Sequence, residues 1–407
     1  MSNKSRDKRT TTASLVDRLR AWTFPKRLPA VPHHLTKDVM IPGIPKARYL
    51  VTMKEGIDNL VEDVADARSR LKREFSPIGH KDQSPPENYL AISGGGDKGA
   101  FAAGLITGWS ESGKRPYLHV VTGISIGALV APFAFVGPEC DETLKNVFTN
   151  IGQKNIFNSR NVMAAILDDA IKDSTPLWNL MGQHVNEELL ARIAEKRSKG
   201  PFLFVATTNL DARLPVVWNM GEIAASKHPN ALDLFRKILL ASASIPGVFP
   251  PVMIDVEFEG VPYQEMHVDG GAVGQVFLFP ASLGTVIRDR GLWEDTERTA
   301  YIIRNARLDP EWASVDRRTL NILGRAISSL IQTQGTADLY HIYLTTEQNK
   351  IDFNLAFIGS DFNVLHKEDF DTEYMRALFD YAYQRAREGY HWHKKPSGLF
   401  DPHSAAE

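Results

Sequence analysis

The sequence predicts an α/β fold with parallel strands, and two observations within residues 89–137 support that prediction. Short apolar runs at 90–92 and 118–121 have the composition of buried strands. Each is followed by a glycine-containing turn and by a run of small and apolar residues, at 100–109 and 128–135, that is typical of a packed helix. Strand, helix, strand and helix in this order require parallel strands with helices layered against the sheet.

The first turn is a glycine-rich loop at residues 94–99, with the sequence Gly-Gly-Gly-Asp-Lys-Gly. Gly94, Gly96 and Gly99 match the G-x-G-x-x-G pattern of dinucleotide-binding loops. Those folds also need an acidic residue at the end of the next strand, about 20 residues further on. The residues there, 122–125, are Thr-Gly-Ile-Ser. We therefore prefer an oxyanion hole, in which N–H groups free of side chains stabilise the charge that develops during acyl transfer.

The second turn is a G-x-S-x-G motif formed by Gly123, Ser125 and Gly127. A serine on a sharp strand-to-helix turn is presented as a nucleophile, and flanking glycines allow the strand and helix to approach closely. The helix that follows directs its N-terminal N–H groups at the serine, which favours developing negative charge. The motif is weak alone, but its position between an apolar strand and a small-residue helix makes Ser125 a candidate nucleophile.

A nucleophilic serine needs a base, and the candidate is Asp269, within the sequence Glu-Met-His-Val-Asp-Gly-Gly. Asp269 ends a strand-like run and enters a turn at Gly270 and Gly271, where a carboxylate can be held with its oxygens accessible. A further segment, Leu-Ala-Ser-Ala-Ser-Ile-Pro-Gly-Val-Phe-Pro-Pro at residues 240–251, precedes it.

In this order the four motifs resemble the patatin-like phospholipases over residues 88–279. The resemblance implies a three-layer α/β/α fold with a mostly parallel central sheet, and a Ser–Asp dyad without histidine. It makes Ser125 the nucleophile and Asp269 its base. It assigns the oxyanion hole to Gly94, Gly95 and Gly96, and supporting positions to Lys98, Gly99, Gly123, Gly127, Gly270 and Gly271. Lys98 stands where the family more often has arginine, whose fixed fork of donors lysine lacks.

The resemblance also implies an activity, the hydrolysis of fatty-acyl esters by an enzyme of the phospholipase A or lysophospholipase type, through an acyl-enzyme intermediate. The expected partner is a lipid or phospholipid, with peripheral contact to a membrane. We expect no nucleic acid, because 47 Lys and Arg against 49 Asp and Glu give a net charge of −2. We expect no metal and no other cofactor, because the sequence has no H-E-x-x-H or C-x-x-C motif.

Two alternatives stay open. An α/β-hydrolase with a Ser-Asp-His triad would take its histidine from the residues after Asp269, which are His341, His366, His391, His393 and His403. None of them lies in a glycine-rich or strand-end context that supports catalysis. The second alternative is a non-catalytic, membrane-associated regulatory module with a hydrolase-like fold, and an intact Ser125 and Asp269 argue against it.

Three segments are predicted along the 407 residues. Residues 1–87 form a basic, proline-containing extension with a helix at 53–75, residues 88–346 form the patatin-like catalytic domain, and residues 347–407 form a helical extension and tail. Residues 14–22 have the pattern of a short basic amphipathic helix that can lie on an anionic membrane. A solvated tail, or a helix docked on its own domain, is the preferred alternative because so short a helix is marginal alone.

Composition places the chain among folded globular proteins, since 43% of its residues are apolar. The only cysteine, Cys140, excludes an intramolecular disulfide. The first residues contain no apolar segment of the kind that a secretory signal has. We therefore expect a cytoplasmic protein that visits a membrane surface.

The remaining sequence alternates between strand and helix patterns. Strands are predicted at residues 201–208, 215–220, 252–258, 260–266, 299–305 and 341–346. Helices are predicted at residues 163–171, 231–242, 320–334 and 372–387.

Overall fold

The computed structural model describes residues 27–75, 86–159, 172–291, 296–309, 312 and 314–396. The helices predicted at residues 14–22 and 163–171, and the tail beyond residue 396, lie outside these ranges.

The strands are β1 (Arg48–Tyr49), β2 (Glu87–Ile92), β3 (Val120–Gly123), β4 (Asn158–Ser159), β5 (Lys172–Asp173), β6 (Phe202–Asn209), β7 (Leu214–Asn219), β8 (Val252–Phe258), β9 (Val261–Asp269), β10 (Arg298–Arg304) and β11 (Asp352–Phe357). The helices are α1 (Lys54–Phe75), α2 (Gly99–Glu111), α3 (Ile126–Val136), α4 (Asp141–Asn150), α5 (Gln153–Ile156), α6 (Thr175–His184), α7 (Glu187–Ser198), α8 (Met220–Ala225), α9 (Ala231–Ser242), α10 (Ala281–Asp289), α11 (Thr319–Gln348) and α12 (Thr372–Gly389). None of these described helices combines the length and the apolar composition needed to cross a membrane.

The main sheet has the strand order β1-β7-β6-β3-β2-β10-β11, with β9 paired to β6 and β8 paired to β9. The five strands from β6 to β11 in this order are parallel to their neighbours. The strands β1, β7, β8 and β9 pair antiparallel at one side. Leu90 in β2 lies opposite Val121 in β3 and Tyr301 in β10. The predicted α/β class with a mostly parallel central sheet is confirmed.

Helices cover both faces of this sheet. One face packs against α2, α3, α9 and α12 in an apolar core, to which these helices contribute Phe101, Phe135, Phe235 and Phe379. The opposite face packs against α1, α10 and α11, which contribute Leu60, Leu283 and Leu339. The predicted three-layer arrangement is therefore also confirmed.

The small residues of α2 have a packing role. A Cβ atom built on Gly104 would lie 2.2 Å from the carbonyl oxygen of Phe379, and one built on Gly108 would lie 2.2 Å from that of Tyr383. Both acceptors belong to α12, so the backbones of the two helices touch. A larger side chain at either glycine would push α12 off the core.

The strand predicted at residues 341–346 is wrong, because these residues belong to α11. Their sequence, His-Ile-Tyr-Leu-Thr-Thr, is rich in the β-branched and aromatic residues that favour strands. The helix instead buries Leu339 and Ile342, three residues apart, against the sheet. The strand of this region is β11, which pairs in parallel with β10. Tertiary packing has overridden a local preference.

Cys140 immediately precedes α4 and is buried in the main core. Burial raises the pKa of its thiol to about 11. The thiolate is the reactive form of cysteine, so this side chain stays inert near neutral pH.

Candidate active site

Ser125 occupies a strained turn between β3 and α3. Its φ of 56° and ψ of −126° lie in a region that residues with side chains rarely adopt, and Ile126 then begins the helix. The Ser125 N–H donates to the hydroxyl oxygen of Ser242 at 3.0 Å, and that hydroxyl donates to the Ala206 carbonyl at 2.7 Å. The end of α9 and strand β6 therefore hold the turn that presents Ser125.

The glycines around this turn are required by close backbone approach. A Cβ atom on Gly127 would lie 2.2 Å from the carbonyl oxygen of Ile92, the last residue of β2. A Cβ atom on Gly123 would lie 2.4 Å from the Gly127 carbonyl oxygen. Side chains at either position would separate α3 from the sheet, so the motif glycines give this turn its shape.

Asp269 lies directly beside Ser125, although 144 positions separate them in sequence. The Ser125 Oγ donates to Asp269 Oδ2 at 2.6 Å. The second carboxylate oxygen, Oδ1, accepts from the Gly271 N–H at 2.7 Å, and the Asp269 N–H donates to the Ser244 carbonyl at 2.8 Å. The carboxylate is thus fixed at the end of β9, with one oxygen on the serine and the other on the turn that follows.

Burial raises the pKa of Asp269 to about 7, because the apolar surroundings disfavour the charged carboxylate. The hydrogen bonds from Ser125 Oγ and the Gly271 N–H oppose this shift, since they stabilise the carboxylate. An aspartate with an ordinary pKa near 3.8 is a weak base. A carboxylate with a pKa near neutrality can accept a proton from a hydroxyl group far more readily.

The glycine-rich loop lies against Ser125, but its three amides differ. The Gly94 N–H donates to the Gln275 carbonyl at 3.0 Å, and a Cβ atom on Gly94 would lie 3.2 Å from Ser125 Cβ. The N–H groups of Gly95 and Gly96 donate to no acceptor within the described ranges. Gly96 has φ of +60°, which favours glycine. Of the three predicted oxyanion donors, the N–H groups of Gly95 and Gly96 are therefore available to a ligand. The Gly94 N–H is already bonded to the Gln275 carbonyl.

Asn305, the residue after β10, bonds the backbone on both sides of the glycine-rich loop. Its side-chain amide donates to the Ser93 carbonyl at 2.8 Å, and its side-chain oxygen accepts from the Ala102 N–H at 3.1 Å. A Cβ atom on Gly95 would lie 2.3 Å from the Asn305 carbonyl oxygen. The sequence analysis missed the role of Asn305, for which the available signal was an asparagine at the end of the apolar run 299–305.

A second supporting contact comes from α11. Asp338 Oδ2 accepts from the Gln275 N–H at 2.5 Å, and Gln275 is the residue whose carbonyl holds the Gly94 amide. Arg304, the last residue of β10, is buried nearby; burial lowers the pKa of its guanidinium to about 10, and the charge of Asp338 opposes that change. No sequence motif predicts these contacts, because Gln275, Arg304 and Asp338 meet only in the folded chain.

Asp97 in the glycine-rich loop is buried and holds the segment that precedes α12. Its Oδ2 lies 2.6 Å from His366 Nε2 and accepts from the Phe370 N–H at 2.8 Å. His366 is one of the five candidate histidines for a Ser-Asp-His triad. The His366 side chain contacts Asp97 in the glycine-rich loop, whereas the Ser125 hydroxyl contacts Asp269.

The nearest histidine in sequence to the dyad, His267, is also engaged elsewhere. Its Nδ1 lies 2.8 Å from Thr207 Oγ1 and its Nε2 lies 3.1 Å from Glu265 Oε2. Of the other candidates, His393 pairs through its backbone with Leu355 in β11, and His403 lies outside the described residues. No group of three His, Cys, Asp or Glu side chains in the described part of the chain is arranged to hold a metal ion.

The other predicted motif positions surround the same turn. A Cβ atom on Gly99 would lie 2.3 Å from Ile126 Cγ1, and one on Gly270 would lie 2.6 Å from the Ala206 carbonyl oxygen. Gly271 supplies the amide that holds Asp269. Lys98 is partly buried and immediately precedes α2. The motif residues thus converge on one site at the carboxyl ends of the parallel strands, where α/β folds bind ligands.

Part of the chain is similar to known proteins. Residues 90–281 match the model of the family described as Patatin-like phospholipase, so the resemblance predicted from the motifs is confirmed over these residues. Among solved structures, the chain is similar to the crystal structure of VipD from Legionella pneumophila, with 13% identity over 74% of this chain and 67% of that chain and a TM-score of 0.31. No curated protein sequence matches the chain significantly.

Proposed function

We propose that this chain, whose residues 90–281 match the patatin-like phospholipases, is a serine acyl hydrolase that cleaves fatty-acyl esters of lipids. The family match supports lipid hydrolysis in general. The observation that carries the finer proposal is the 2.6 Å hydrogen bond from Ser125 Oγ to the buried Asp269 carboxylate. Phospholipids and lysophospholipids are the substrates that the family match favours, and reaching them requires contact with a lipid surface.

In the proposed first step, Asp269 Oδ2 takes the proton of the Ser125 hydroxyl while Oγ attacks the ester carbonyl carbon. The carbonyl π electrons move to oxygen, and the N–H groups of Gly95 and Gly96 stabilise that oxyanion. The oxyanion collapses, the ester C–O bond breaks, and the alcohol leaves with the proton from Asp269. The fatty-acyl group is then bound to Ser125 as an ester.

In the second step, Asp269 removes a proton from water, which attacks the acyl-enzyme carbonyl. The tetrahedral intermediate collapses, Ser125 Oγ regains its proton, and the fatty acid is released. The N-terminus of α3 contributes positive potential at Ser125 in both steps. This scheme needs no metal ion and no cofactor.

Labelling with a fluorophosphonate probe tests the proposal. The probe reacts with activated serines, so we expect labelling of the wild-type chain and none of Ser125→Ala, because the labelled oxygen is absent. Ser226→Ala is the matched control and should label like the wild type, since the Ser226 hydroxyl donates to the Ile223 carbonyl and accepts from the His228 N–H at the end of α8. Asp269→Ala should also lose labelling. Persistent labelling of Ser125→Ala would contradict the proposed nucleophile, and labelling that survives in Asp269→Ala would point to another base.

The pH dependence of hydrolysis should report the ionisation of Asp269. The base must be deprotonated, and burial raises its pKa to about 7. We therefore expect kcat/KM for a short soluble ester to rise with pH, about tenfold per unit on the acidic side, and to level off above about pH 7. Initial rates between about pH 5 and 9 measure this. A profile that is flat through neutrality would exclude Asp269 as the proton acceptor with this pKa.

A further inference from the structure

The N-terminal half of α11 has an unusual surface. Helix α11 is 30 residues long, and its second half packs on the sheet through Leu339 and Ile342. From residue 321 to residue 330, nearly every described side chain is exposed. Ile322, Leu323 and Leu330 are 53%, 54% and 70% exposed. Large apolar side chains at such exposure on one helix indicate an interaction surface rather than a core face.

The contacts in the middle of α11 show where its N-terminal half lies relative to the sheet. A Cβ atom on Gly335 would lie 2.2 Å from a guanidinium nitrogen of Arg304, the last residue of β10, and Asp338 holds the loop at Gln275. Gln332 Nε2 donates to the Arg307 carbonyl at 2.9 Å. These contacts lie at the carboxyl edge of the parallel strands, the edge that carries Ser125.

The helix then runs back along the sheet to β11, as a crossover between parallel strands must. Residues 319–331 therefore extend beyond the carboxyl edge, by about 20 Å at 1.5 Å per residue. This places an exposed apolar helix on the same side of the domain as the candidate active site.

The apolar side chains point away from the domain. With about 100° between successive residues, Ile322, Leu323, Ile327 and Leu330 fall within about 140° of the helix circumference. Gln332 and Leu339, which contact the domain, lie on the opposite side. The side of a surface helix that faces solvent is normally polar. In the N-terminal half of α11, that side is apolar instead.

The charges of this segment are of one sign. Residues 317–337 contain Arg317, Arg318 and Arg325 and no Asp or Glu, whereas Asp316 lies directly before them and Asp309 and Glu311 lie beside Trp312 in the sequence. Trp312, which precedes the helix, is 89% exposed. Exposed aliphatic side chains with flanking arginines and a nearby tryptophan are the chemistry of helices that lie in the interface of an anionic bilayer. A soluble protein partner would equally accept an apolar face, but the helix turns that carry this face contain arginine and no acidic residue, which favours a negatively charged surface.

We propose that the face formed by Ile322, Leu323, Ile327 and Leu330, which we call the α11 apolar face, binds an anionic lipid surface. Arg317 and Arg318 pair with lipid phosphates while the apolar face enters the acyl region. The carboxyl edge of the sheet, with Ser125, then faces the membrane. This inference extends the proposed function by naming the lipid-binding segment, but binding can be measured without hydrolysis.

The test uses the full chain and vesicles of ether-linked phospholipids, which an acyl hydrolase cannot cleave. Cosedimentation is compared for neutral phosphatidylcholine vesicles and for vesicles with an equal part of phosphatidylserine. We expect binding to the anionic vesicles. The affinity should decrease at least about 10-fold for the double variant Leu323→Gln/Leu330→Gln, because two leucines that enter the acyl region are lost. Arg317→Gln/Arg318→Gln should weaken binding to the anionic vesicles by about 10-fold or more and have little effect with neutral ones.

Leu344→Gln is the matched control, because Leu344 is also 53% exposed but lies on the half of α11 that runs along the sheet. It should bind like the wild type. Equal loss in this control, or unchanged binding of the leucine double variant, would overturn the proposal. The proposal would also be overturned if sedimentation velocity showed that the wild type is a dimer and the double variant a monomer. A second copy of the chain would then occupy the α11 apolar face. If vesicle binding follows the expected pattern but no ester is cleaved, the proposed function fails and this inference stands.

Discussion

Replacing Asp269 with asparagine is expected to lower kcat/KM for a short soluble ester by about 10³-fold or more. The amide has the same shape, so it can still contact Ser125 and the Gly271 N–H, which now hold the carboxylate at 2.6 and 2.7 Å. It cannot accept the hydroxyl proton. Initial rates at a pH above 7, where the wild-type carboxylate is ionised, measure the loss.

The same variant should be more stable than the wild type in alkaline solution. The pKa of Asp269 is about 7 in the folded chain and near 3.8 in the unfolded chain, so the folded state binds the proton more tightly. The stability linked to that proton is fully present below pH 3.8 and is lost as pH rises through about 7. Asparagine avoids this loss, and the gain reaches up to about 4 kcal/mol. Urea unfolding of the variant and the wild type, at one pH below and one above about 7, measures this difference in the free energy of unfolding.

Asp211→Asn is the matched control for activity. Asp211 lies in the turn after β6, where it binds Arg27 and the Met266 N–H rather than Ser125. It should retain hydrolysis within about 3-fold, since changes away from the site leave the transition state untouched. Asp269→Asn activity above about a tenth of wild type would be inconsistent with an aspartate base. His366→Gln would then be the next variant to measure.

Replacing Phe379 with alanine is expected to lower the free energy of unfolding by about 3–5 kcal/mol. Phe379 is 1% exposed and belongs to α12, whose backbone touches α2 at Gly104. Because both helices share one core with the sheet, the loss should appear in a single unfolding transition. Urea denaturation followed by circular dichroism measures the change.

Asp380→Ala is the neighbouring control, because Asp380 is exposed on the same helix turn and should change stability by no more than about 0.5 kcal/mol. We propose from the shared core that the residues described beyond 346 fold with the catalytic domain. A loss below about 1 kcal/mol for Phe379→Ala, or a second transition at low urea, would instead indicate that α12 is an accessory unit.

The motifs that could be predicted from the sequence are those in which the local backbone geometry allows only one or a few residue types. Ser125 needs glycines on either side because the strand and helix backbones touch, and Asp269 precedes a turn that needs Gly271. The structure brings these two side chains into contact. The order of strands and helices was equally predictable within residues 89–137, because apolar runs and small-residue helical runs alternate there.

The remaining features depend on contacts between distant segments. Asn305 braces the glycine loop and Gln275 occupies the Gly94 amide, but neither belongs to a motif or a periodic pattern. The misassigned strand at residues 341–346 has a physical cause, because its β-branched residues match a strand until the burial of Leu339 and Ile342 is known. The exposed side of α11 was invisible for the same reason, since sequence alone does not show which apolar residues lack a partner.

The buried state of Cys140 has a practical consequence for measuring depth in a bilayer. It is the only cysteine of the chain, and its thiol has a pKa of about 11, so alkylating reagents will react slowly with it. A cysteine introduced at Leu330 would therefore carry a nitroxide or fluorophore selectively, without prior removal of the native thiol. Collision with lipid-soluble and water-soluble quenchers would then give the immersion depth of each labelled position along α11, and so the tilt of the domain on the bilayer.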